Sequence, residues 1–332
     1  MFDLAALPKI DLHCHLDGSL TLDFMNSILR YKSPEELRRC VQVDGAVCEN
    51  LAQYLEKFQL PIQCLQTAEH IKEAARSFLV SLVPDNVIYV EPRFSPELLV
   101  TPELSIKDVL ESVLAGLRQG RQECGIQFGV ILCAMRGHSL EQNMAVFSLA
   151  RDHLGQGVCG VDLAGDEARY PVKEFEKIFA FAADNGIPFT IHAGECGSAQ
   201  NIRDSIRMGA KRIGHGLAMA DDVSLQRLCA ERGIGIEMCP TSNFQTKAVP
   251  SAELYPIRKF LDHQLAVTIN TDNRTVSGTT ITQEFALLRD NYGFSGRAFW
   301  QLTQNAIDQS FADDETKLAL AAQARAGYQN YL

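Results

Sequence analysis

Lys211-Arg212-Ile213-Gly214-His215, an amphipathic stretch over 222–231, and Ile234-Gly235-Ile236-Glu237-Met238 follow one another within residues 211–238. The outer pieces are short apolar runs of strand length. The middle one returns an apolar side chain every three or four positions, as a helix burying one face requires. The same strand-and-helix rhythm runs through the chain, with further strands expected at 9–14, 87–91, 128–133, 160–163, 188–192 and 266–270 and another amphipathic stretch at 172–185. Eight such units point to a parallel sheet closed on itself, an α/β fold of the (β/α)8 TIM barrel class. An open doubly wound sheet would carry Gly-x-Gly-x-x-Gly after its first strand, and that pattern is absent. The region between the first two strands, about 20–84, is far longer than one crossover needs, so extra helices are expected after the first strand. No Pro/Gly/Ser linker or low-complexity segment divides the chain, and residues 1–332 read as a single domain.

Composition narrows the class of function. The chain is 46% hydrophobic and 22% charged, which places it among globular proteins. Its net charge of −10, with no basic cluster, repels nucleic-acid backbones and anionic membrane surfaces. No secretory signal or membrane-spanning run is legible, and the ten cysteines never form a Cys-x-x-Cys pair. These features suit reduced thiols in the cytoplasm. Nothing in the sequence speaks to oligomeric state.

The polar residues fall where the apolar runs stop. In a barrel all strand ends of one polarity meet at one rim, where such folds build their sites. His13, His15, Arg93, Arg136, Asp162, His192, His215, Glu237 and Asp272 are therefore expected to converge. His13 and His15 sit two apart, so strand periodicity turns both imidazoles to one face and Cys14 to the other. Taken alone, such a pair serves equally as two hydrogen-bonded imidazoles; Glu195 alone reads as a solvated loop carboxylate, and Asp272 alone as a turn residue. Taken together, four of the eight histidines at one rim, with an Asp and a Glu beside them, suit a catalytic zinc site with one open position for water.

The motifs at these positions resemble those of the adenosine deaminase family of the amidohydrolase superfamily. The likeness runs in order through Pro8–Ser19, Tyr89–Pro96, Asp162–Glu167, His192–Glu195, Arg212–Gly216, Cys239–Asn243 and Asn270–Asp272. The resemblance implies zinc-dependent hydrolysis of adenosine, and of 2'-deoxyadenosine, to inosine-type product and ammonia. It implies one zinc per chain held by His13, His15, His192 and Asp272. It implies that Glu195 protonates purine N1, that His215 orients the attacking water and helps move its proton, that the Gly165 backbone meets the purine, and that Asp17 contacts the ribose. Leu51, Tyr54, Leu55 and Phe58 resemble an apolar lid, although amphipathic packing alone also accounts for them.

Two absences sharpen this reading. The His-x-Glu plus Pro-Cys-x-x-Cys signature of cytidine-type deaminases is missing, and the fourth strand ends without the lysine that bridges two metals in related hydrolases. Asn273 stands where members of the family often carry a second aspartate, and an amide there can donate to purine N7. Competing readings are an adenine deaminase, a deaminase of a modified adenosine such as methylthioadenosine, and a catalytically silent metal-binding relative. The expected partners are a small purine nucleoside and water.

Overall fold

The computed structural model describes residues 3–31, 33–196 and 198–332. Its strands are β1 (Lys9–His15), β2 (Val87–Phe94), β3 (Gln127–Phe128), β4 (Val130–Met135), β5 (Val158–Ala164), β6 (Thr190–Ala193), β7 (Arg212–His215), β8 (Gly235–Met238) and β9 (Ala266–Ile269). All pairings are parallel, in two runs, β1-β2-β4-β5 and β6-β7-β8-β9, with β3 beside β2. Single parallel bridges, Val161 to Phe189 and Cys14 to Asp272, join the runs into a ring. The second junction is tight: His15 N donates to Asp272 O at 2.6 Å and Asp272 N to His13 O at 2.8 Å. The barrel therefore closes through backbone of residues expected to bind metal.

Each expected strand is found, with one difference. The third is broken at Gly129 into β3 and β4. A Cβ at Gly129 would lie 2.8 Å from Cys159 Sγ and 2.9 Å from the Tyr89 hydroxyl, so the neighbouring strands press in where the side chain is missing.

The long first connection folds into helices Leu22–Leu29, Pro34–Val41, Leu51–Leu55, Gln59–Gln63 and Ala68–Val80. The last is the crossover helix and packs closely on Ile106–Cys124, where a Cβ at Gly116 would stand 2.0 Å from Lys72 O. Helix starts follow local capping chemistry. Asp222 accepts from Leu225 N to open Val223–Glu231, and Ser105 with Asp108 closes a capping box. The stretch expected over 172–185 begins as a 3-10 turn, Val172–Phe175, before the helix Glu176–Asp184.

Strand alternation divides the core. Ile213, Ile236, Val161 and Val267 face outward into the apolar layer beneath the helices. The barrel interior instead carries Glu91, Arg93, Asp162, Arg212 and Glu237, all fully buried. On β7, Arg212 and Gly214 point inward; a Cβ on Gly214 would come within 3.2 Å of the His13 ring. Alternation would then turn His215 outward, but its φ of 64° swings the side chain back over the barrel mouth. Asp272, with φ of 58°, is turned in the same way. Left-handed backbone at two non-glycine residues is a cost that site geometry maintains. No helix among the described residues is long and apolar enough to cross a membrane.

Candidate active site

His13 and His15 from β1, His192 from β6 and Asp272 after β9 bring their donor atoms together at the barrel mouth, all within 4.8 Å of one another. His15 Nε2 lies 3.2 Å from His192 Nε2, and Asp272 Oδ1 lies 3.5 Å from Nε2 of both His13 and His15. For a tetrahedral ion with ligand distances near 2.0–2.1 Å, neighbouring ligand atoms stand about 3.3 Å apart. The donors thus already have the spacing of ligands around one cation. Among the described residues His13 Nε2 is fully buried with no well-formed hydrogen bond, facing Asp272 Oδ1 at 3.5 Å, which is costly unless something else takes its lone pair. Burial also holds the His15 and His192 rings below the ordinary imidazole value, His15 well below it, leaving their nitrogens free to ligate. The residues fit a single metal ion.

A layer beneath fixes which nitrogen faces the centre. His13 Nδ1 is 2.8 Å from Glu237 Oε2, and His192 Nδ1 is 2.9 Å from Asp162 Oδ2, so each Nε2 is presented upward. Burial opposes ionisation of both carboxyls. Arg93 and Arg212 nevertheless hold Glu237 well below the usual carboxylate range, and His192 and Arg93 do the same for Asp162. Arg93 spans the two at 3.0 Å each, and Arg212 bonds Glu237 and Glu91 at 2.5 Å. These side chains converge as expected from the sequence, but as supports of the candidate ligands. Arg136 converges differently: its guanidinium donates to the carbonyls of Tyr170, Leu163 and His192, tying the rim backbone together.

Glu195 follows His192 on a loop held from below by Glu167. The Glu167 carboxylate accepts from the backbone N–H of Gly194, Glu195 and Cys196 at 2.6, 2.9 and 3.0 Å and from Asn201 Nδ2 at 2.7 Å. Gly194, at φ of 75°, lets the loop curl around that carboxylate. Burial, with the negative Asp272 and Glu167 nearby, pushes the Glu195 carboxyl up to about 8. A carboxyl raised in this way is suited to carry a proton toward neutral pH, as a proton donor must. His215 Nε2 stands 3.7 Å from Glu195 Oε2, and burial holds its ring well below the ordinary imidazole value.

Above the donors is a cavity of about 230 Å³. Asp17, Gly165, Asn273 and His215 line it, with Leu51, Tyr54, Leu55 and Phe58 forming an apolar cover from the first connection. His13 lies just beneath. Asp17 Oδ1 and Asn273 Oδ1 are both buried and unpartnered among the described residues. Asn273 presses so closely on the preceding loop that a Cβ on Gly18 would meet its Oδ1 at 1.9 Å. Gly165, at φ of 101°, exposes backbone to the cavity. Ile62, Ser95, Leu98 and Met135 also line the cavity and were not legible beforehand, because ordinary apolar and hydroxyl residues carry no chemical signal. Glu167 and Asn243 lie inside motifs already singled out, although their tasks were not.

This arrangement has known counterparts. A family model described as adenosine deaminase matches residues 8–326. The chain belongs to the adenosine deaminase family. It is 41% identical over 318 residues to a protein of Enterococcus faecalis named adenosine deaminase, with 94% of each chain covered. Two solved structures share the fold of this deaminase-family chain. An adenine deaminase from Arthrobacter aurescens has TM-score 0.88 and 23% identity, covering 97% of this chain and 99% of its own. An amidohydrolase from Burkholderia ambifaria with bound Zn has the same TM-score and identity, covering 98% and 92%.

Proposed function

We propose that this deaminase-family chain, acting as one domain, hydrolyses the 6-amino group of adenosine and 2'-deoxyadenosine, giving the inosine-type nucleoside and ammonia. One zinc ion per chain is held by His13, His15, His192 and Asp272. The observation that carries this reading is the buried Glu195, its carboxyl raised by burial, lining the same cavity as a three-histidine, one-carboxylate cluster. The name of the Enterococcus faecalis relative supports the substrate, and the zinc in the Burkholderia structure supports the metal.

A dication at such a site supplies a water poised to attack near neutral pH. The chain's own residues do the rest. Glu195 donates its proton to purine N1, which draws electron density from C6 and opens it to attack. His215 orients the attacking water. The Gly165 backbone meets the purine, Asp17 accepts from the ribose hydroxyl end, and the Asn273 amide donates to N7. One proton of the attacking water returns through solvent to the Glu195 carboxyl and the other leaves with the 6-amino group as C6 becomes a carbonyl, so adenosine and water give inosine and ammonia.

Among the described residues the lining of the cavity includes no Lys or Arg to meet a nucleotide phosphate, which favours a nucleoside. All ten cysteines are free thiols, which supports a reducing, cytoplasmic setting. Side-by-side assay of metal-loaded protein on adenosine, deoxyadenosine, adenine, methylthioadenosine and AMP decides the substrate. Adenosine and deoxyadenosine should be turned over best, and faster turnover of adenine or AMP would overturn the assignment.

Two substitutions probe the substrate contacts. Asp17→Ala removes an acceptor that only the nucleoside uses, so kcat/KM for adenosine should fall by the equivalent of about 1–3 kcal/mol while adenine is little changed. Equal losses on the two substrates would remove Asp17 from the sugar. With Asn273→Ala, the disadvantage of 7-deazaadenosine relative to adenosine should shrink toward zero, because the analogue lacks the N7 acceptor. An unchanged ratio would show that Asn273 does not read the purine.

A further inference from the structure

His215 works with two ends, and only one faces the cavity. Its Nε2 is the nitrogen near Glu195, while its Nδ1 lies 3.0 Å from Nδ2 of Asn243, a fully buried residue of the short helix Pro240–Gln245. Asn243 itself has little freedom. Its backbone N–H donates to Cys239 O at 3.0 Å, its backbone carbonyl accepts from Val249 N at 3.2 Å, and its Oδ1 accepts from the Tyr255 hydroxyl at 3.1 Å.

Which way the amide points decides which imidazole nitrogen carries the proton. With the NH2 toward His215, Nδ1 must offer a lone pair, and the ring proton resides on Nε2. The reversed amide would need a proton on Nδ1 and would turn its NH2 toward Tyr255. The buried phenolic proton would then lose the acceptor it finds in Asn243 Oδ1. A phenol oxygen without an added donor is tolerable, whereas a buried O–H without an acceptor is not. Tyr255 is only 4% exposed, so water is a poor substitute.

We propose that Asn243, oriented by Tyr255, is a positioning residue that fixes His215 as the neutral imidazole with its proton on Nε2. His215 then presents an N–H donor to the reacting centre, so it orients the attacking oxygen as hydroxide, whose proton has already passed to solvent, through a lone pair, and is not the first acceptor of that proton. This refines the His215 role and rests, for its catalytic consequence, on the deaminase reading. The tautomer itself stands independently of that reading.

The test is the imidazole 15N spectrum of histidine-labelled, metal-loaded protein, with His215 assigned by comparison with His215→Gln. The expected result is an unprotonated Nδ1 and a protonated Nε2 for His215. Asn243→Asp replaces the donor by a group that only accepts, so the two His215 signals should exchange. kcat should fall by about a hundredfold, KM should stay within about threefold, and metal content should be unchanged. Tyr255→Phe should leave mixed tautomers and a smaller loss of kcat. A protonated Nδ1 in the unmodified protein overturns the proposal, as does Asn243→Asp with kcat within about twofold of the parent. Where Asn243→Asp fails to fold, the parent spectrum and Tyr255→Phe decide. Failure of the deaminase reading would show instead as absence of turnover in the unmodified protein, with the tautomer unaffected.

Discussion

Glu195→Gln is expected to keep its metal and lose between about two and four decades of kcat, the range by which a positioned proton donor accelerates a reaction. The amide preserves the shape of the buried carboxyl and the three backbone bonds to Glu167, so the loop stays in place. What it lacks is a proton to give to N1. The pH profile carries the sign of the same argument. Burial, Asp272 and Glu167 raise the carboxyl to about 8, so the competent acid form is present below that pH and is lost above it. A nearby dication draws the midpoint down, placing the alkaline fall of kcat/KM at or below about pH 8. Near-parental turnover, or a profile that rises with pH through this window, would remove Glu195 as the donor.

Chelation is expected to abolish turnover, and elemental analysis of the active protein should find about one transition metal per chain. Without a cation the cluster leaves His13 Nε2 buried with only the long 3.5 Å approach of Asp272, and three imidazoles crowd around one carboxylate with ring centroids 4.5–5.4 Å apart. A ligand that binds the folded state alone stabilises it by about 4 kcal/mol at a thousandfold excess over its Kd. Thermal unfolding should therefore shift to lower temperature on chelation and recover on adding zinc. Full activity in a metal-free preparation would sink the mechanism.

The sequence by itself determined the eight strand-and-helix units and the rim positions His13, His15, His192, Glu195, His215 and Asp272. Both are local properties: periodicity over a few residues sets the element, and the end of an apolar run sets the rim. The extra helices after the first strand were legible for the same reason, as length that one crossover does not use. The candidate metal cluster became readable because His, Asp and Glu have few common uses at such positions.

Only the tertiary structure decided how those groups are supported. Arg93 meets Glu237 across 144 residues and Arg212 meets Glu91 across 121, contacts that exist only once the ring of strands has closed. Glu167 finds the backbone of residues 194–196, and Asn243 finds His215, through loop conformations that no periodicity encodes. At the break, the close approach of Cys159 and Tyr89 to Gly129 likewise exists only between neighbouring strands of the closed ring. Side-chain type announces what a residue can do chemically. What it does here is set by which distant charge or hydrogen-bond partner the closed barrel places within about 3 Å of it.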